Sequence, residues 1–234
     1  FHLSLTYKAQ KIKQHPANII FDCERMKYPN TGIYHYCKQL SKALIQQQQP
    51  TYPTLTLYIP PSERQLAEQA DKYILQSSWH KLHHPVTQKN QLWHGTYQGS
   101  NYYPTSKQVK KLLTIHDLNF LYDEAKGPEK QKRYLKKVQT LINRSDQLTV
   151  ISAFTLQCIR ENLNIDHVPV KVIYNGCNVP DVTDGSQRPS FIETDRPYIF
   201  SIGTITKKKY FCLLSIFLFL PIVHLIVVIF LTLP

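Results

Sequence analysis

Short apolar runs alternate with segments of helical periodicity along residues 18–176, and this alternation restricts the possible fold more than any other feature of the chain. The strand-like runs are residues 18–23, 54–59, 73–75, 92–97, 112–117, 148–152 and 170–174. Between the later runs, apolar residues recur on one helix face in residues 129–143 and 154–163. Strands and helices in this order and spacing predict an α/β fold with a mostly parallel sheet covered on both faces.

The segment of residues 110–118 carries the strongest signal for a functional site. Its mostly apolar, partly β-branched residues 112–115 lead directly into His116 and Asp117. This pattern predicts a buried strand with polar side chains at its carboxyl end. Ligands of open α/β sheets bind at that end of the strands. We therefore predict that His116 and Asp117 belong to a binding site.

A turn at residues 28–32 follows the first strand-like run, and apolar residues at helical spacing follow the turn. A helix that begins there directs its first backbone N–H groups above the sheet, where they suit an anion or a sugar hydroxyl. Gly32 is the predicted binding residue of this loop. One glycine is not the three-glycine fingerprint of dinucleotide sites, and an ordinary strand-to-helix turn is the alternative interpretation.

Residues 92–103 form an apolar step that continues into an aromatic loop, and they supply His94 and Tyr97 as predicted substrate-binding residues. Aromatic side chains around a polar cleft suit carbohydrate, because a ring face stacks on a sugar while a phenol bonds its hydroxyl groups. Aromatic residues that pack on a neighbouring loop produce the same pattern. The sequence alone leaves both interpretations open.

His80, His83 and His84 lie close together beside a proline. The polar stretch around them offers no further ligand at a regular spacing, so we predict a solvated loop and no metal site. The five cysteines are widely spaced and include no C-x-x-C pair. Their spacing predicts reduced thiols in a cytosolic setting, and neither a disulfide framework nor a zinc site.

The net charge of +12 arises entirely before Tyr210. A basic protein favours anionic partners, which include phosphorylated ligands, acidic lipid headgroups and nucleic acid. The lysines are scattered and no RNA-reading motif accompanies them, so we expect no nucleic acid partner. No cofactor is predicted either.

Residues 210–234 contain no Lys, Arg, Asp or Glu and are rich in Leu, Ile, Val and Phe. A helix of this length crosses a hydrocarbon core of about 30 Å. One interpretation is a transmembrane anchor with the lysines before it on the cytoplasmic side. The other is a frame-shifted end, which the abrupt change of composition after Lys209 favours. Both interpretations predict a C-terminus that associates with membranes.

Several short motifs occur in a recognisable order. They are Asn30-Thr31-Gly32 after the first strand, His116-Asp117 at the end of residues 112–117, and residues 150–155, 172–176 and 201–205. In this order and spacing they resemble the N-terminal half of the GT-B glycosyltransferases of family 4. The resemblance implies an acceptor-side Rossmann-like domain in residues 1–177. It implies a linker and the first strand of a truncated donor domain in residues 178–209, before the apolar tail of residues 210–234.

The resemblance also implies roles for particular residues. A nucleotide-sugar donor would bind between the two domains, and His116, the candidate catalytic residue, would orient the transferred sugar. Lys208 and Lys209 match the place of a basic pair that binds the donor phosphates and stabilises the leaving nucleoside diphosphate without a metal. A solvated or membrane-flanking cluster is the competing interpretation of these lysines. The family's later pair of glutamates is missing after Lys209, so we expect a fragment with little or no turnover.

The function implied by the resemblance is sugar transfer from a nucleotide-sugar to a saccharide or lipid-linked acceptor, in the synthesis of cell-surface polysaccharide. The implied location is the cytoplasmic face of the membrane, with the cytoplasm as the alternative. A second hypothesis is a membrane-anchored α/β domain that binds a saccharide or a phosphorylated ligand without chemistry.

Overall fold

The computed structural model describes residues 18–89, 91–123 and 125–176. In these ranges the protein is a Rossmann-like α/β domain with a seven-stranded parallel sheet and four α-helices, which confirms the predicted α/β class and parallel sheet. The strands are β1 (Asn18–Asp22), β2 (Thr54–Ile59), β3 (Lys72–Leu75), β4 (Gln91–Gly95), β5 (Lys110–Ile115), β6 (Gln147–Val150) and β7 (Val170–Val172). The helices are α1 (Gly32–Gln46), α2 (Arg64–Ala67), α3 (Pro128–Ile142) and α4 (Ala153–Asn162).

The longer helices begin where the sequence provides a suitable first residue or cap. The Thr31 hydroxyl accepts a hydrogen bond from the Tyr34 N–H at 3.2 Å, at the start of α1. The Ser152 hydroxyl accepts one from the Thr155 N–H at 3.0 Å, at the start of α4. Such caps satisfy N–H groups that have no partner within the helix. Helix α3 begins with Pro128, whose missing N–H costs nothing at this position.

The strands lie in the order β3-β2-β1-β4-β5-β6-β7. The chain builds outward from β1 through β2 to β3, and then returns to place β4 on the other side of β1. Asn18 of β1 is therefore opposite both Thr54 of β2 and Gln91 of β4. In open α/β sheets the carboxyl ends of the strands at such a switch point border the ligand crevice.

Alternate residues of each strand pack on opposite faces of the sheet and build two apolar cores. On one face, Trp93, Leu113 and Ile115 pack with residues of α3 and α4. On the other face, Phe21 and Leu57 pack with residues of α1 and α2. All five side chains are fully buried, and each burial of this kind stabilises the fold by about 1.5–3 kcal/mol.

The strand ends position the residues that follow them. Strand β5 ends at Ile115, so His116 and Asp117 stand directly at the carboxyl edge of the sheet, as predicted. Strand β4 ends at Gly95, within the predicted apolar step that leads into the aromatic loop. The next residue, Thr96, donates from its hydroxyl to the Asp22 carbonyl at the end of β1.

The sequence left two interpretations for the aromatic loop after β4, namely packing against the protein and contact with a carbohydrate. Tyr102 and Tyr103 are each only 5% exposed, and they belong to the core on the α3 side of the sheet. The Tyr103 hydroxyl lies 2.8 Å from Ser145 Oγ. These two tyrosines therefore pack against the protein, whereas Tyr97 keeps a partly exposed position.

The unit that contains the sheet ends at Asn175. The predicted linker and donor-domain strand, the predicted C-terminal apolar helix of residues 210–234, and the lysine pair at 208 and 209 lie outside the described residues. Among the helices that the structure describes, none has the length and hydrophobicity needed to cross a bilayer.

Candidate functional site

Hydrogen bonds between side chains and backbone tie the carboxyl ends of four strands together. Thr96, after β4, donates from Oγ1 to the Asp22 carbonyl at the end of β1, at 2.7 Å. The Thr96 carbonyl accepts a bond from His116 Nε2, after β5, at 2.9 Å. The His116 carbonyl in turn accepts from Thr155 Oγ1 of α4, which follows β6, at 3.0 Å. The edge at the switch point is therefore fixed before any ligand binds.

Gln98 links the loop after β4 to the end of β5. Its Oε1 accepts from the His116 N–H at 3.3 Å, and its Nε2 donates to the Asp117 carbonyl at 2.8 Å. The Asp117 carboxylate accepts from the Asn119 N–H at 2.9 Å through Oδ1. The predicted site residue Asp117 thus shapes the turn after β5 through this oxygen.

His116 is the best-defined polar side chain of this edge and is 7% exposed. Because the Thr96 carbonyl can only accept, Nε2 must carry a proton. Burial lowers the pKa of His116, although the Thr96 bond and the Asp117 charge act in the opposite direction. The ring is therefore neutral near pH 7, and Nδ1 is an acceptor that bonds no other described residue.

Helix α1 supplies a second wall of the site beside His116. The Tyr36 ring meets the His116 ring edge-on, with 4.7 Å between their centroids. The predicted loop residue Gly32 is the first residue of this helix and is exposed. A Cβ on Gly32 would have no atom within 4 Å, so packing does not require a glycine at this position. Its predicted role in binding stays a prediction.

His94 lies within β4, one residue before the strand ends. Its Nε2 is 2.8 Å from Thr114 Oγ1, and its ring meets Phe21 edge-on at 5.2 Å. Burial lowers the pKa of His94 to about 4, and the charge of His116 acts in the same direction. The two histidines are therefore neighbours, with His94 bonded within the sheet and His116 at its edge. The predicted contact of His94 with substrate stays a prediction.

Tyr97 follows β4 and is part of a cluster that crosses the switch point. The Arg25 guanidinium carbon lies 4.4 Å from the centroid of the Tyr97 ring and 4.4 Å from that of Tyr28. Arg25 and Tyr28 follow β1, so this contact joins the two strands that border the crevice. Each cation–π contact contributes about 0.5–1 kcal/mol at an exposed position and more when water is excluded.

The carboxyl groups after β1 hold the first loop in shape. Asp22 is 1% exposed, and its Oδ1 accepts from the Glu24 N–H at 2.9 Å. Burial raises the pKa of Asp22 well above its usual range, and Arg25 and Lys27 offset this only in part. Glu24 forms an ion pair with Lys27. Both acidic side chains therefore already have partners within the loop.

The stretch at residues 80–84 is exposed at Lys81, Leu82 and His83, in keeping with the predicted solvated loop, whereas His80 and His84 are partly buried. His80 and His84 pack against the buried Tyr58 ring, with centroid distances of 5.7 and 5.9 Å. Burial lowers the pKa of His84 to about 4. Across the described ranges, no three His, Cys, Asp or Glu side chains are grouped to hold a metal ion.

Sequence reasoning missed Arg25, Gln98 and Lys137. Lys137 occurs among other lysines on α3, where nothing in the sequence distinguishes it from its solvated neighbours. Its Nζ nevertheless donates to the Gly99 carbonyl at 2.7 Å and to Asn101 Oδ1 at 2.6 Å. For Arg25, the available signal was its position just after the first strand.

Comparison with known proteins assigns neither a family nor a function to this site. No family model matches the chain. No curated protein matches it either. The function therefore has to be argued from the residues and the contacts described above.

Proposed function

We propose that the described residues form the acceptor-binding domain of a GT-B glycosyltransferase of family 4. The reaction would transfer a sugar from a nucleotide-sugar to a saccharide or a lipid-linked acceptor. The observation that carries the proposal is the neutral His116 ring at the carboxyl edge of the sheet, with Nε2 bonded to Thr96 and Nδ1 available to a ligand. An acceptor nitrogen in this state suits a sugar hydroxyl, which donates one hydrogen bond.

The surroundings of His116 suit a carbohydrate for the same reason. Tyr97 offers a partly exposed ring close to the switch point, and an aromatic ring stacks on the apolar face of a sugar. The start of α1 at Gly32 offers backbone N–H donors. The predicted pair Lys208 and Lys209 would stabilise the charge that develops on the leaving nucleoside diphosphate.

Saccharide binding by the full chain tests the proposal. Titration calorimetry with neutral mono- and oligosaccharides should detect binding, and His116→Phe should weaken it at least tenfold. Phenylalanine keeps a ring beside Tyr36 but removes Nδ1. His83→Phe is the matched control, because His83 is exposed outside the site, and it should bind like the wild type. Thermal unfolding of each variant separates lost binding from lost folding.

Two further readouts make the test specific. Saccharide affinity should fall as the pH drops below the His116 pKa, because protonation of Nδ1 removes the acceptor. With nucleotide-sugars added, slow transfer to the bound saccharide should appear and should be lost in His116→Phe. The proposal fails if no saccharide binds, or if the His116 variant binds as tightly as the His83 variant.

A saccharide- or phosphate-binding domain without catalysis is the second candidate. It is favoured by the carboxyl groups of the edge, since Asp22 is buried and Asp117 is bonded within its own turn. Neither is arranged as an obvious base for an attacking hydroxyl. Saccharide binding without any nucleotide-sugar binding or transfer would replace the first candidate with this one.

A further inference from the structure

Arg25 forms no ion pair with an acidic side chain among the described residues, although its charge acts to lower the pKa of the buried Asp22. Its guanidinium carbon lies 4.4 Å from the centroid of the Tyr28 ring and 4.4 Å from that of the Tyr97 ring, and its Nε is buried without a hydrogen-bond partner among the described residues. Its neighbour Lys27, by contrast, is paired with Glu24. A buried N–H that stays unpaired destabilises a protein, so a group of this kind needs an explanation.

The two tyrosines determine how Arg25 can bind a ligand. Contacts with two aromatic rings restrict the rotation of a guanidinium, while its N–H donors stay in its plane. Donors in that fork match the two oxygens of a phosphate or a carboxylate. Tyr28 is also 42% exposed, so its ring can contact a ligand beside Arg25.

Lys137 adds a second positive charge near Arg25. Its Nζ is bonded to neutral oxygens, those of Gly99 and Asn101, so these bonds form no ion pair. Burial lowers the pKa of Lys137, the charge of Glu24 opposes this, and the charge of Arg25 acts in the same direction as burial. An anion that contacts the Arg25 guanidinium would be attracted by both positive charges.

We infer that Arg25, held by its contacts with Tyr28 and Tyr97, binds an anionic group carried by the saccharide that occupies the adjacent site. This inference rests on the proposed saccharide-binding function and narrows the ligand to an acidic or phosphorylated saccharide. Arg25 supplies the paired donors, Lys137 supplies additional charge, and the tyrosine rings hold the guanidinium in place. The position fits because Arg25 and Tyr97 join the two strands at the switch point.

Calorimetry on the full chain at 0.15 M salt tests this inference with four probes: glucose, glucose 1-phosphate, glucuronate and inorganic phosphate. At least one charged sugar should bind tenfold or more tightly than glucose, because charge-assisted bidentate contacts are strong. Phosphate binding without glucuronate binding would identify a phosphoryl group as the ligand. The reverse would identify a carboxylate.

Variants at Arg25 locate the effect. Arg25→Gln should remove the preference for charged sugars, so that glucose and the charged sugars bind with similar affinity. Arg25→Lys keeps the charge but loses the fork, so most of the preference should disappear. The control is Lys110→Gln, which removes one charge from an exposed residue at the opposite, amino end of the sheet, and should keep the preference.

The outcomes separate this inference from the proposed function. Equal affinity for glucose and both charged sugars, or an unchanged preference in Arg25→Gln, would overturn it. An equal loss in Lys110→Gln would also overturn it, since it would reveal diffuse attraction to a basic protein. Phosphate binding that depends on Arg25, with no binding of any saccharide, would leave an anion site but refute the saccharide function.

Discussion

Replacing Gly95 with alanine tests the packing beneath the switch point. A Cβ at this position would lie 2.7 Å from Tyr103 Cε2 and 3.3 Å from Trp93 Nε1. Carbon atoms in contact are normally about 3.5–4.0 Å apart, so the Tyr103 ring would have to move. It has little room, because it is 5% exposed and its hydroxyl is bonded to Ser145 at 2.8 Å.

The loss of stability expected for Gly95→Ala follows from these contacts. Overpacking of a buried site costs about 1–3 kcal/mol, and loss of the bond between Tyr103 and Ser145 adds about 1 kcal/mol. The lower backbone entropy of alanine in the unfolded chain returns about 0.5–1 kcal/mol. We expect Gly95→Ala to lower the free energy of unfolding by about 1–3 kcal/mol, and the Tm by roughly 2–12 °C.

Thermal and urea unfolding followed by circular dichroism measure this change. Gly32→Ala is the matched control, because its Cβ has no atom within 4 Å and alanine favours the helix; its stability should be unchanged or higher. Adding Tyr103→Leu to Gly95→Ala should cost less than the sum of the single changes, since the clash is then gone. Equal stability of Gly95→Ala and Gly32→Ala, or strict additivity with Tyr103→Leu, would refute the reasoning.

Three further predictions concern buried polar groups. Burial lowers the pKa of His94 to about 4, whereas an unfolded histidine titrates near 6.5, so the unfolded state takes up the proton first. Stability should therefore fall as the pH drops from about 6.5 to 4, by at most about 3 kcal/mol from this group; in urea unfolding, an equal fall in His94→Gln would contradict this. Burial raises the pKa of the Cys37 thiol to about 12, so alkylation at pH 8 should modify it only after unfolding, and rapid labelling of the native protein would be inconsistent with its burial. Thr96→Val removes the hydroxyl bonded to the Asp22 carbonyl and should cost about 1–3 kcal/mol in denaturation experiments. Thr96→Ser, which keeps that hydroxyl, should be nearer to wild type; the prediction fails if the two variants are equally stable.

The fold class was predictable because the strands are buried on both faces. Burial on both sides makes the second half of a strand such as β5 mostly apolar and partly β-branched, which is visible without any knowledge of its neighbours. The same segment located His116 and Asp117, since a parallel strand presents the residues that follow it at one edge of the sheet. Local sequence was sufficient for this part of the site.

The Arg25 cluster was not predictable in the same way. Its contact with Tyr97 depends on β4 lying beside β1, which is a pairing between segments about seventy residues apart in sequence. Lys137 likewise reaches the loop after β4 from α3. Contacts of this kind depend on strand order, and the periodicity of a single segment does not contain that order.

The burial of His80 and His84 was also not predicted. A polar composition suggested solvent exposure, which holds for His83, but His80 and His84 border Tyr58, whose ring is fully buried in β2. An aromatic ring at a strand end can bury polar rings from a distant loop. The composition of the loop could not reveal that partner.

Saccharide binding beside His116, at the carboxyl ends of β1 and β4, is the claim on which the rest depends. The most direct measurement is the mapping of amide chemical shifts while a saccharide is titrated into the isotopically labelled full chain. We predict the largest changes at Thr96, Tyr97 and Asp117, and none at Asn18 or Lys110 on the opposite edge. Changes confined to the amino edge, or no saturable change with any saccharide, would contradict the claim.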